Sequence, residues 1–279
     1  DESLGPICIV TLPATGDAIQ AGVSPSRQEK PHAHSLVFDP TGRFALSADL
    51  GMDRVWVYRF ENNHLAANHP QNVGTTPAEP GLGNLSERME YGWIGLGDNA
   101  GQMAETPAAY QHAMLGHNLK PGAGPRHIAF HPNGRFFYVS NELDSTVTVF
   151  AWGSAKGYLK PVQNLSTLPA DFNGQSDVAH VALTPDGRFL YVSNRGHNSI
   201  SIFSVDPDTG LLTAAGHTST RGRWPRNFCI DPDGRFLIAA NQESNDIFVF
   251  AIDPASGDLK PTGISVNIPN PLFVTVIDL

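Results

Sequence analysis

His131-Pro-Asn-Gly-Arg-Phe-Phe-Tyr-Val-Ser-Asn141 decides the fold, because the chain writes it four times. Its counterparts, aligned without gaps, are Asp39-Pro-Thr-Gly-Arg-Phe-Ala-Leu-Ser-Ala-Asp49, Thr184-Pro-Asp-Gly-Arg-Phe-Leu-Tyr-Val-Ser-Asn194 and Asp231-Pro-Asp-Gly-Arg-Phe-Leu-Ile-Ala-Ala-Asn241. Proline presets φ and glycine tolerates a positive φ, so each Pro-x-Gly is a hairpin turn. A short apolar strand, a, precedes it, as in Ile128-Ala-Phe130, and strand b follows, as in Phe136 to Ser140. Strand c comes next: Val55-Trp-Val-Tyr58, Val147-Thr-Val-Phe150, Ile200-Ser-Ile-Phe203 and Ile247-Phe-Val-Phe250. Its β-branched and aromatic residues suit a pleated, half-buried surface. Strand d opens at Leu159-Lys-Pro161 and Leu259-Lys-Pro261, with looser versions at Leu211-Leu-Thr and Leu65-Ala-Ala. No segment has helical periodicity. One four-stranded unit cannot bury both its faces, so such units pack side by side around an axis. The sequence predicts an all-β fold, a β-propeller, as one domain over 1–279.

The spacing locates an interruption. Gly42, Gly134, Gly187 and Gly234 recur at separations of 92, 53 and 47 residues. The last two are near one blade in length, and the first is a blade plus an insertion of roughly 40 residues. The insertion, at about 74–120, is rich in Gly and Pro and carries Tyr91, Trp93 and Tyr110. By strand count it falls in a d–a loop on the rim shared with the b–c loops. Loops of this length are commonly functional or disordered, and a lid or specificity wall is the functional expectation. The chain opens on Leu4 to Pro13, which has the style of a d strand. It closes on Pro271 to Ile277, which has the style of an a strand without its b. The expected architecture is four full blades plus a leading d and a closing a strand, truncated at its N-terminus.

Bulk properties exclude several classes. The net charge is −9 without a basic cluster, which argues against binding a nucleic-acid backbone. No apolar run reaches the ~20 residues of a membrane helix. The start lacks a basic and apolar leader, so a cytoplasmic location is expected, with export left open by the absent initiator Met. Cys8 and Cys229 are too few for a disulfide framework and read as small core residues.

Comparing repeats separates folding from chemistry. Columns constant in every blade, such as Pro-x-Gly-Arg-Phe, are structural. Arg43, Arg135, Arg188 and Arg235 read as turn and inter-blade pairs at one rim. The columns at the opposite rim vary, apart from a nearly constant Asp/Asn column. Eight residues before each glycine stand His34, Arg126, Ala179 and Arg226, and seven before stand Ser35, His127, His180 and Asn227. Seven after stand Asp49, Asn141, Asn194 and Asn241, and eight after stand Leu50, Glu142, Arg195 and Gln242. Blade packing has no need of a Glu in one blade and an Arg in the next, so varied ionisable residues on one rim mark a site. The constellation is His34, Arg126, Glu142 and Arg195. His127, His180, His197, Asn141, Asn194 and Gln242 flank it as candidate substrate-binding residues, and His32 lies two residues before His34. The Asn column also has a plain structural reading, side chains bonding nearby backbone.

Lys30-Pro-His-Ala-His-Ser-Leu-Val-Phe-Asp39, Gly124-Pro-Arg-His-Ile-Ala-Phe-His-Pro132, Ser140-Asn-Glu-Leu-Asp-Ser-Thr-Val147 and Ser193-Asn-Arg-Gly-His-Asn-Ser-Ile200 resemble the lactonase family of seven-bladed propellers. The resemblance covers the chain apart from the insertion. It implies a ring of seven blades and the hydrolysis of a lactone, 6-phosphoglucono-1,5-lactone above all. It also places family site residues on His34, Arg126, Glu142 and Arg195. The expected protein is a monomer acting on a small anionic lactone, with no cofactor and no metal. Glu142 or His34 would be the general base, and the arginines would hold phosphate or oxyanion. Three alternatives stand beside it: a cyclase lactonising a muconate, a Ca²⁺-dependent lactonase using Glu142 with Asn141, Asn194 and Asn241, and a non-catalytic binding propeller.

Overall fold

The computed structural model describes residues 24, 26–61, 64–67 and 116–277, and over that range every regular element is a strand. Blade 1 holds β1 (Ala33–Phe38), β2 (Phe44–Asp49), β3 (Arg54–Glu61), β4 (His64–Ala67) and β5 (Gly116–Asn118). Blade 2 is β6 (Pro125–Phe130), β7 (Phe136–Asn141), β8 (Thr146–Gly153) and β9 (Tyr158–Ser166). Blade 3 is β10 (Asp177–Leu183), β11 (Phe189–Arg195), β12 (Ser199–Val205) and β13 (Leu212–Ser219). Blade 4 is β14 (Pro225–Ile230), β15 (Phe236–Asn241), β16 (Asp246–Ile252) and β17 (Leu259–Asn267). Each blade is an antiparallel meander, and the first strands β1, β6, β10 and β14 lie against one another in order. Among the described residues no helix is long and apolar enough to cross a membrane.

The cores lie between blades, as the period of two dictates. All six residues of β7 are buried, but its alternate side chains serve different interfaces. Phe137 and Val139 join Phe44, Leu46 and Val57 of blade 1, while Phe136 and Tyr138 join Leu190, Val192 and Phe203 of blade 3. β11 repeats the scheme one blade on, with Phe189 and Tyr191 packed on Phe228, Leu237 and Phe250. Cys229, on β14, is a half-buried free thiol.

The a–b turns are built as the repeat requires. In the first, Gly42 N–H donates to Asp39 O at 2.9 Å, and Gly42 takes φ 67°. The Asp39 carboxylate then accepts the N–H groups of Arg43 and Phe44. The arginine after each of the first three glycines reaches the next blade: Arg43 Nη2 donates to Ser154 O, Arg135 Nη2 to Pro207 O and Arg188 Nη2 to Pro254 O, each at 2.7 Å, while Arg235 pairs with Asp233 of its own turn. The first three arginines are inter-blade latches and the fourth is a turn pair, in agreement with the repeat comparison.

Two expectations about the outline need correction. The insertion does not begin in a d–a loop. Two separate stretches serve as the fourth strand, since Tyr58 pairs with Ala67 and Trp56 with Gly116, so residues 68–115 interrupt that strand in sequence. In blades 2 and 3 that same place holds a bulge in the fourth strand, beside Val149/Phe150 and Ile202/Phe203. A residue already outside the ladder is where extra chain disrupts least. Residues 68–115 themselves, with the proposed lid, lie outside the described residues. The closing segment Pro271–Ile277 carries no strand. Val274 N–H donates to Asn227 Oδ1 at 3.0 Å beside β14, and no described strand flanks the segment to supply a ladder. The leading strand expected at Leu4 to Pro13 lies outside the described residues.

Candidate functional site

The variable column eight residues before each glycine turns out to be a column of β-bulges. Ala33 pairs with Asp49 and Ser35 with Ala48, which leaves His34 as the extra residue. Arg126 is extra between Pro125 and His127, and Arg226 between Pro225 and Asn227. In blade 3, Ala179 and His180 together face Ser193. A bulge re-aims one side chain without moving the rest of its strand. Here it lets an innermost strand keep its packing while turning an ionisable group to the upper rim. The b–c loops close over the same rim, as Glu142 N–H donates to Gly124 O and Gln242 N–H to Trp224 O.

Glu142 is the centre. Its carboxylate is buried, with Arg126 Nε at 2.7 Å and Arg195 Nη2 at 2.9 Å from Oε2, and Arg27 Nη2 on Oε1. Burial by itself would raise the Glu142 carboxyl, but Arg195, Arg126 and Arg27 outweigh it and hold it below the usual carboxylate range. Arg126 is held down to about 10, by burial first and then by Arg195. Arg126 Nη1 also donates to Ala179 O, and Arg195 Nη2 to Val178 O, each at 3.0 Å. Arg226 adds a fourth positive charge within electrostatic reach of Arg126, Arg195 and His34. Asp177, its carboxyl raised chiefly by burial, is the second acid near the cluster. Four guanidiniums around two carboxylates leave a surplus of positive charge at the mouth, the requirement for receiving an anion.

His34 lies at the edge of this field. Desolvation first, then Arg126, lowers it to about 4, against the opposing pull of Glu142. Its imidazole, exposed at the rim, is therefore neutral at physiological pH, with a ring nitrogen able to accept a hydrogen bond from water. His127 and His180 form a directed chain behind it. Arg126 Nη1 lies 3.0 Å from His127 Nε2, and a guanidinium only donates, so His127 carries its proton on Nδ1. That N–H points at His180 Nδ1, 2.7 Å away, which leaves the His180 proton on Nε2. Burial, then Arg126, pushes both rings down, His180 to about 4.

The structure thus brings together His34, Arg126, Glu142 and Arg195, with His127 and His180 behind Arg126. It does not bring in the rest of the flanking set. Asn141 is buried, and its amide donates to Thr146 and Thr148. Asn194 likewise braces Thr167, Ser199 and Ser201. Both follow the structural reading of that column: Asn141 braces its own blade, and Asn194 ties blade 3 to Thr167 at the end of blade 2. His197 bonds Ser199 Oγ at 2.6 Å and packs on Phe172 and His217, away from Glu142. Gln242 keeps a buried, unpartnered Oε1, and His32 pairs with Glu29 at 3.3 Å. Repeat comparison missed Arg27, which precedes the first blade and so belongs to no column. It also passed over Asp177 and Trp224, which stand ten residues before their glycines, where blade 2 has Gly124; a column drawn two positions further would have shown both.

The chain matches the family model described as "Lactonase, 7-bladed beta-propeller" over residues 11–84 and 102–276. The 6-phosphogluconolactonase of Bacillus subtilis (strain 168) is 32% identical over 216 residues, 77% of this chain and 49% of the relative. That of Pectobacterium carotovorum is 48% identical over 158 residues, 57% of this chain and 47% of the relative. The chain thus spans about half the length of these curated relatives. The periplasmic gluconolactonase of Pseudomonas aeruginosa superposes with a TM-score of 0.66 at 34% identity, covering 88% of this chain and 56% of that one.

Proposed function

The chain belongs to the lactonase family of seven-bladed β-propellers, and from that premise we propose that it hydrolyses a sugar lactone, 6-phosphoglucono-1,5-lactone, to the open carboxylate. The observation that carries the reading is a neutral imidazole, His34, beside guanidiniums that outnumber the carboxylates they surround. Hydrolysis of a lactone needs a base for water, a cation for the oxyanion and a proton for the leaving ring oxygen.

His34 takes the proton of water as the water oxygen bonds to the carbonyl carbon. The carbonyl electrons move to oxygen, where Arg126 or Arg195 stabilises the charge. The ring C–O bond then breaks, and the imidazolium returns its proton to the departing oxygen. A guanidinium left over holds the phosphate. Glu142 has both carboxylate oxygens engaged by arginines, whereas the exposed His34 ring is open to water. The work of Glu142 is to gather guanidiniums that would otherwise repel one another. The reading is of a monomeric cytoplasmic enzyme acting on a small anion.

The test is proton release on adding the phosphorylated lactone to the intact protein, wild type against Arg195→Ala and His34→Gln. A wild type that adds nothing to spontaneous hydrolysis rejects the reading, and turnover of a muconate instead moves it to the cyclase.

A further inference from the structure

Trp224 has φ 64°, in the left-handed region that disfavours any residue with a side chain, and above all a bulky one. At the same place in blade 2 stands Gly124, also at φ 64°. One repeat therefore meets the backbone requirement without strain, and the other carries an indole there. The strained turn is pinned from both sides: Trp224 N–H donates to Asn198 Oδ1 at 2.8 Å, and Trp224 O accepts Gln242 N–H at 3.0 Å. Strain of this kind persists where the surroundings over-determine it, and it gathers at functional sites. The half-buried ring has one evident employment in this rim, since Arg195 Cζ lies 5.4 Å from its centroid. Arg195 is thus held by the Glu142 carboxylate, the Asp177 and Val178 carbonyls and an aromatic face.

We propose that Trp224 is a positioning residue of the site, whose ring fixes the Arg195 guanidinium in the direction that meets the substrate. The proposal rests on the lactonase reading for its kinetic consequence and on the turn geometry for its cause. A cation held against an aromatic face loses fewer orientations on binding an anion, so the clamp acts mainly on KM.

The experiment compares Trp224→Gly and Trp224→Phe with wild type in the intact protein, by steady-state kinetics, thermal melting and calorimetric binding of 6-phosphogluconate. Glycine relieves the φ strain as it removes the ring contact, so the melting temperature stays within about 3 °C. Meanwhile kcat/KM falls by about tenfold or more, chiefly through KM, and Trp224→Phe keeps activity within about threefold of wild type. Unchanged kinetics in Trp224→Gly overturns the proposal. So does a melting temperature that collapses along with activity, or a Gly variant that fails to fold, because the ring is then only structural. Should wild type hydrolyse no sugar lactone, the lactonase reading falls by itself. The clamp is then judged by 6-phosphogluconate, which binds about tenfold more weakly to Trp224→Gly if the clamp is real and equally well if it is not.

Discussion

Arginine occupies both rims of the propeller, and the two sets do opposite work. At the lower rim Arg43, Arg135 and Arg188 repeat one bond, each an exposed guanidinium on a carbonyl of the next blade at 2.7 Å. At the upper rim Arg126 and Arg195 are buried, differ in partners from blade to blade, and converge with Arg27 on a single carboxylate. Repetition at one rim is architecture, since each interface needs the same latch. Variety at the other is what the proposed lactone site requires, since a substrate would see the blades together. The contrast also separates the energies. An exposed hydrogen bond to a carbonyl contributes about 1 kcal/mol, whereas a buried ion cluster is costly to break from either side.

The contrast is broken most severely at Glu142. Glu142→Gln leaves buried guanidiniums without their counter-charge, and urea unfolding is expected to lose about 3–5 kcal/mol, with turnover lost as well. Full stability with full activity would show that the cluster is ornamental. Next comes Arg195→Ala, expected to lower kcat/KM by about 10²–10³ in a steady-state assay. Retained turnover there would move the upper-rim arginines into the architectural class. Acid sharpens the same point. His34 works only as the neutral imidazole, so kcat/KM is expected to hold until its titration near pH 4 and to fall below that. Stability responds earlier. Unfolded imidazoles take protons near 6.5, whereas folded His34 and His180 resist them until about 4. The stability they contribute is complete above about 6.5 and is lost as pH falls towards about 4, which denaturation at a series of pH values will read. The smallest effect belongs to the lower rim. Arg135→Ala should cost about 1 kcal/mol in urea unfolding and leave kinetics untouched, and a kinetic defect would erase the distinction between the rims.

The sequence made the constant columns easy to read, because Pro-x-Gly-Arg-Phe states turn, strand and latch in adjacent letters. His34, Arg126, Glu142 and Arg195 were legible through their disagreement with sister blades. The bulge that aims His34 and Arg126 was not, since an extra residue in a ladder shows only when both strands are aligned in register. Arg27 was hidden because it lies outside any repeat. Asn141 and Asn194 shared the rim by position, yet their amides are taken up by Thr148 and Ser201 across the sheet and, for Asn194, by Thr167 at the end of blade 2. The point of insertion was misplaced because four residues of outer strand, His64–Ala67, are too short to reveal that the strand is only half made.

That half-made strand bears on how such rings change over generations and on how they can be altered by hand. An unpaired residue partway along the outermost strand is a seam: peptide spliced there leaves the inter-blade layers and the arginine latches as they were. Val162 occupies the equivalent seam in blade 2, exposed and without a partner in the ladder. A graft at that position, carrying a reporter or a second domain, would ride on the outside of the wheel and leave the hub untouched.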